Sequence, residues 1–360
     1  MIAPERNLIH GNPRPRWPRW LLLALLAAAA AVSPAQAQTW GRLAPFPEPS
    51  EELYGIGAGG KLYVFGGLAP GWKPKGLVYE YDPGRDAWTK RRAMPLLSHH
   101  VALAELHGKI YVIGGFRLPD SGPAAWQPIA NAWEYDPAAD TWKALAPLPS
   151  ARGAANAVAV DGKIYVIGGA APHPGSPETV VHPARPHRSL GTNEVYDPAT
   201  NSWATRSAMP TARNHAAAAA IGGKVYVAGG RLGSAFISRA SNTDIVEVYD
   251  PLADQWGSLL APMPTARSAA SWGTFKGKLY VAGGEQRTSE FQKTFRTVEA
   301  YDPGANRWTV LPPMEFARHG MAGDIVDSKL HLVSGDAASG GAPGTHLETG
   351  VHEVLDLESR

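Results

Sequence analysis

The chain has 360 residues, 44% hydrophobic and 18% charged, with 39 Gly, 32 Pro and no Cys. Without Cys no disulfide can staple the fold, and a formal net charge of +2 excludes the strongly basic footprint of a nucleic-acid binder. The high Gly and Pro content would fit disorder, but both recur at fixed places in a periodic pattern, which argues for turns.

The first 37 residues read as a leader. Arg14, Arg16 and Arg19 precede an apolar run from Leu21 to Val32, and Ala35-Gln36-Ala37 supplies a small-x-small cleavage pattern. That run is too short to span the ~30 Å of a bilayer core as a helix. The expectation is a signal peptide over 1–37, cleaved after Ala37, which leaves a periplasmic or secreted protein with no stable membrane anchor. Removing Arg6, Arg14, Arg16, Arg19 and Glu5 leaves 30 basic and 31 acidic residues, a net charge of −1. The basic pI therefore belongs to the leader, and neither nucleic acid nor an anionic membrane is an expected partner.

From residue 39 one unit recurs. In its third copy, short strands are expected at about 153–160, 163–167, 193–196 and 202–205, with Asp161-Gly162 as the hairpin turn between the first two. Glycine pairs close the second strand at Gly66-Gly67, Gly114-Gly115, Gly168-Gly169, Gly229-Gly230 and Gly283-Gly284, with Ser334-Gly335 as the sixth. A Tyr-Asp-Pro turn follows at Tyr81, Tyr135, Tyr196, Tyr249 and Tyr301, and Trp40, Trp88, Trp142, Trp203, Trp256 and Trp308 keep the same beat. The first strand is rich in small residues, as in Ala216–Ala220, which suits the innermost strand of a radial array. The tyrosines and tryptophans are expected to pack between neighbouring units.

A period near fifty with paired glycines, a Tyr and a Trp resembles the kelch repeat. The resemblance implies an all-β fold over 38–360, a six-bladed propeller with four antiparallel strands per blade. The chain begins on a fourth strand at Thr39-Trp40-Gly41-Arg42 and ends on a third strand at Val351–Leu355. Pairing these ends completes the last blade with the N-terminal strand and removes an open sheet edge.

Long second-to-third connections, at 68–76, 116–130, 170–192, 231–243, 285–296 and 336–350, share one face with the blade-to-blade connectors. Long loops on a rigid frame are where function usually sits, so this face is the expected site. The connectors place Arg152, Arg213, Arg267 and Arg318 at one repeat position, with Ser50 and Ser98 as the equivalents in the first two blades. In kelch proteins this position often lines the pocket, and the resemblance implies that the arginines bind carboxylates, with Ser98 beside them. The alternative is that each Arg bonds carbonyls of the neighbouring blade and holds the ring together. His99, His100, His215 and His319 sit beside these positions, but no pair has a sharp metal-ligand spacing, so no metal and no cofactor are expected. Just after the glycine pairs come Arg117, Arg231, Glu285 and Arg287, with Asp336 in the last blade and Trp72, Phe116, Trp126, Phe236, Phe291 and Phe295 among the loops. Aromatic faces beside arginines suit an acidic-sugar site through ring stacking and charge-assisted hydrogen bonds, and equally a protein–protein surface. The 170–192 loop, with His173, His182 and His187 among prolines, reads as an irregular flap.

No nucleophile elbow, phosphate loop or zinc helix occurs. The leading expectation is an exported binding or interaction protein that recognises an acidic ligand or a protein partner on its long-loop face. The resemblance carries an enzymatic alternative, a periplasmic mutarotase acting on N-acetylneuraminate-like sugar acids. Glu285 and His215 are then the candidate acid–base residues. A copper radical oxidase like the galactose oxidase propeller is set aside, because that chemistry uses a Tyr cross-linked to a Cys.

Overall fold

The computed structural model describes residues 38–173, 175–181, 188–233, 242–287, 292–339 and 347–358. Within it Gln38–Glu358 is one compact unit. The expected leader lies outside the described residues, as do His182, His187, Phe236, Phe291 and the side chain of Arg287.

Six four-stranded antiparallel sheets make six blades. Their innermost strands are Glu51–Ala58, Ala102–Leu106, Asn156–Val160, Ala217–Ile221, Ser271–Phe275 and Ala322–Val326. Each hydrophobic cluster spans two adjacent blades; one joins Val158, Tyr165 and Val195 of the third blade to Ala218, Val227 and Tyr249 of the fourth. Small residues are needed where these strands converge. A Cβ on Gly55 would lie 2.5 Å from the Gly323 backbone nitrogen, so the close approach of the first blade to the sixth requires glycine at 55.

Closure is as the chain ends imply. The N-terminal Trp40–Arg42 pairs with His352–Asp356 as the outermost strand of the sixth blade, in the register Trp40 to Leu355 and Arg42 to Glu353. The glycine pairs are structural. Their backbone is left-handed, and a Cβ on Gly115, Gly230 or Gly284 would come within 2.7 Å of a connector carbonyl.

The Tyr and Trp do lie between blades, held by a device that a third residue supplies. Asp86, Asp140, Asn201, Asp254 and Asn306 stand five residues after the repeat Tyr with φ between 44° and 52°, a conformation that Asn and Asp tolerate. In each copy this side-chain oxygen accepts the Tyr hydroxyl of its own blade. It also accepts the backbone N–H of one residue in the connector that enters the blade: Ala44, Arg92, Ala146, Ser207 and Ala261 in turn. The Trp indole N–H donates to the carbonyl of that same residue at 2.8–3.2 Å. Both backbone groups of a connector residue are thus fixed by the next blade's outer edge.

Two expectations about the loops change. The first blade has no long second-to-third loop, because its strands Lys61–Ala69 and Lys73–Asp82 extend past a bulge at Gly66–Leu68 and close a tight turn. Three other loops begin as short ribbons: Phe116–Arg117 with Gln127–Pro128, Ala170–Ala171 with Arg188–Ser189, and Glu285–Arg287 with Gln292–Thr294.

Candidate functional site

The blade connectors enter the inner strands through six equivalent residues, Glu52, His100, Ala154, His215, Ala269 and Gly320, all with φ between 51° and 58°. For a non-glycine residue that conformation costs about 1–2 kcal/mol. Five inter-blade hydrogen bonds offset it, with the step from the first blade to the second left unbridged. Ala154 N–H donates to His100 O, His215 to Ala154, Ala269 to His215, Gly320 to Ala269 and Leu53 to Gly320, at 2.9–3.1 Å, carrying a hydrogen-bonded collar from blade to blade around the axis. Below the collar runs an axial cavity of about 590 Å³, walled by Gly55, Gly57, Ala104, Ala157 and Ala218 and reaching the exposed Gly59, Gly60 and Asp327 at the hairpin-turn face.

The four connector arginines are not at this cavity. Each is at most 1% exposed. Arg152 meets Glu194 at 2.5 Å, Arg213 meets Glu247 at 2.7 Å, Arg318 meets Glu353 at 2.6 Å, and Arg267 pairs with Glu299. Each also donates to a carbonyl, Val166, Val227 and Val281 in three blades and Ser334 in the sixth, while the buried Nε of Arg213, Arg267 and Arg318 meets no acceptor among the described residues. These carbonyls belong to the blade that the arginine leads into, not to a neighbour. Each charge is paired and buried, so the expected carboxylate-binding ring becomes a set of four latches, each fastening a connector to its own blade. The sequence alternates accordingly. Where the connector residue is Ser50 or Ser98, the position opposite is Tyr79 or Trp133 instead of Glu, so no blade is left with half a buried pair. Ser98 is itself buried, with its hydroxyl donating to Leu96 O.

At the long-loop end of the cavity a different group converges. Glu51 and Glu52 come from the first blade, His99 and His100 from the second, His215 and Arg231 from the fourth, Glu285 from the fifth, and His319, Asp336 and Ser339 from the sixth. All but His215 are buried. Glu285 accepts from Arg231 at 2.8 Å and from Ser339 at 2.9 Å, with His319 Nε2 at 3.8 Å. His319 lies equally far from Glu51. Glu52 accepts from the Tyr54 hydroxyl at 3.2 Å and faces His100 Nε2 at 3.2 Å. His215 Nδ1 pairs with Asn214 Oδ1 at 2.5 Å, and His99 and His100 pair through their Nδ1 atoms.

Burial disfavours charge throughout, but the mixed signs win for several members. The Glu52 carboxyl is pushed up by burial, yet His100, His215 and His319 hold it well below the usual range. Burial also raises Glu285, and His319 and Arg231 bring it below normal. His319 is lowered by burial and raised further by Glu285, Glu51 and Glu52, so it gains affinity for its proton. Burial, then His100, hold His99 neutral. A carboxylate beside an imidazole that keeps its proton is an acid and a base in one place. Two sets of side chains also bring donor atoms within 4.8 Å of one another, as a metal ion would need: Glu52, His100 and His215, and Glu51, Glu52 and His319.

The structure therefore brings together Glu285, Arg231, His215, His100, His319 and Asp336 from the sequence-derived candidates. It leaves aside Arg117, which pairs with Asp120 at 2.6 Å at the surface. Phe116 and Trp126, expected as ligand-stacking faces, are buried with Ala154, Ala170 and Val181. Phe295 is likewise buried. They are packing for the loop layer. Sequence reasoning missed Glu51, Glu52, Tyr54 and Ser339. For the first two the signal was available, since Glu51-Glu52 occupies the place that His99-His100 fills one blade later.

A six-bladed propeller with a polar cluster at its axial mouth is the class that fold and site define. Kelch motif models match residues 98–149, 151–210, 212–264 and 266–315, together more than half of the chain, which belongs to the kelch-repeat family. Kelch-like protein terF of Aspergillus terreus is 27% identical over 302 residues, 81% of this chain and 62% of that protein. The human Kelch repeat and BTB domain-containing protein 12 is 28% identical over 243 residues, 65% of this chain and 37% of its own length. The chain thus spans less than two thirds of either relative. The solved structure of YjhT superposes with a TM-score of 0.69 at 19% identity, covering 87% of this chain and 96% of that one, a likeness of fold.

Proposed function

We propose that the chain is an exported kelch propeller that takes a protein partner on its long-loop face, over the axial cluster. One observation carries this reading. Of the seven large apolar side chains exposed among the described residues, five lie in connectors or long loops of that face: Leu97, Leu232, Leu259, Phe316 and Leu347. Exposed apolar groups around a buried polar centre suit a protein interface, whose anchors are apolar and whose specificity is polar. Changing Leu97 and Leu347 together to Asp should abolish capture of the partner, whereas Leu252→Asp, in an Asp-Pro turn on the other face, should not. Equal capture by both variants would remove the reading.

A second reading draws on Glu285 and His319. A carboxylate 3.8 Å from an imidazole whose proton affinity is raised offers the base and the acid that opening a sugar hemiacetal requires, which supports a mutarotase acting on N-acetylneuraminate-like sugar acids. His215, in the other half of the cluster, is the less suitable partner for Glu285. NMR of freshly dissolved α-N-acetylneuraminic acid tests this reading. Faster anomer equilibration, lost in Glu285→Gln and His319→Gln, would establish it, and an unchanged rate with the wild-type protein would exclude it.

A further inference from the structure

We propose that Glu52, His100 and His215 form a binding site for a divalent first-row transition metal ion at the long-loop end of the axial cavity. The three residues occupy the same repeat position in the first, second and fourth blades, so the collar that fixes their backbones also fixes where their side chains start. Their donor atoms lie within 4.8 Å of one another.

Three further features favour an ion over a plain charge cluster. His100 Nε2 is buried and sits 3.2 Å from Glu52 Oε2. Two atoms that share one ion at about 2.0–2.2 Å each would be separated by roughly that much. Secondly, the other nitrogens are held from behind. His215 Nδ1 donates to Asn214 Oδ1, and His100 Nδ1 is engaged by His99. Such outer partners orient imidazole ligands in metal sites. Thirdly, Glu52 and His215 also line the axial cavity, which gives an ion a path in and leaves its remaining coordination positions open to an exogenous ligand.

Two imidazoles and one carboxylate suit Zn²⁺, Co²⁺ or Fe²⁺ better than Ca²⁺ or Mg²⁺, which prefer oxygen ligands. The adjoining Glu51, Glu52 and His319 set is the weaker choice, because His319 is shared with Glu285 and its Nδ1 engages Asp336 O.

The inference does not depend on the identity of any protein partner. It is tested with the full chain, expressed without an affinity tag, stripped with chelator and titrated with Co²⁺ and then Zn²⁺. The expected result is one equivalent bound, with Co²⁺ ligand-field absorption displaced by Zn²⁺. His215→Gln, at the least buried of the three ligands, should abolish the absorption with the far-ultraviolet circular dichroism unchanged. Asn214→Ala should weaken Zn²⁺ binding by about 10–100-fold through loss of the outer hydrogen bond. Absence of Co²⁺ absorption in the wild type would overturn the proposal. So would equal binding by folded His215→Gln, or loss of binding only when His182 and His187 are changed to Ala.

Discussion

Arg213 shows what a charged side chain does when its repeat position is central to the fold. Its guanidinium is buried against Glu247 and two carbonyls, and burial lowers its pKa to about 10, still protonated at neutral pH. Removing one partner of such a pair strands the other in a dry interior, which typically costs about 3–5 kcal/mol. Arg213→Ala should therefore lower the unfolding free energy by that amount, while Arg213→Met with Glu247→Leu should lose less than either single change. Urea unfolding monitored by circular dichroism measures both. A single mutant as stable as the wild type would return Arg213 to the ligand-binding role.

At the scale of the element, the sixth blade is the one that closes the ring, and two of its features make it the sensitive one. Trp40–Arg42 supplies its outer strand, and the Trp40 indole N–H reaches Pro312 O at 3.1 Å. Deleting residues 38–44 should therefore lower the melting temperature sharply and expose an aggregation-prone edge, visible as larger species in size-exclusion chromatography. In the same blade His331 Nδ1 and His352 Nε2 are 3.0 Å apart, and burial drives their pKa values down, to about 4 and about 3. Imidazoles in the unfolded chain titrate near 6.5, so the unfolded state binds these protons first. Their contribution is complete above about pH 6.5 and is lost as pH falls toward 4 and 3. The wild type should lose melting temperature between pH 7 and 4.5 more steeply than a His331→Leu, His352→Leu variant. Parallel profiles would show that the pair does not set acid stability.

For the whole molecule, the fold was legible because a propeller writes its architecture as a repeat. Paired glycines, Tyr-Asp-Pro turns, the Trp beat and unmatched chain ends were enough to give six blades and their closure. The site was legible only in part. Repeat position told where Arg152 sits but not which way its side chain runs, and the deciding partner, Glu194, lies 42 residues away on a third strand. The aromatic loop residues misled for a similar reason, since Phe116 and Trp126 cover the collar and are packing, not a ligand platform. His215, Glu285 and Arg231 were found because they follow connector or glycine landmarks. Glu51 and Glu52 were missed because the first blade carries acids where its neighbour carries histidines, and only the register between blades reveals the equivalence.

The central claim is that this propeller works through its long-loop face. It is tested most directly by placing a photo-crosslinking amino acid at Leu97, Leu232 or Leu347, and at Leu252 on the opposite face, in cells that make the full chain. The account predicts that the first three positions yield one common crosslinked partner and that Leu252 yields none. Crosslinking confined to Leu252, or no common partner at the three long-loop positions, would contradict it.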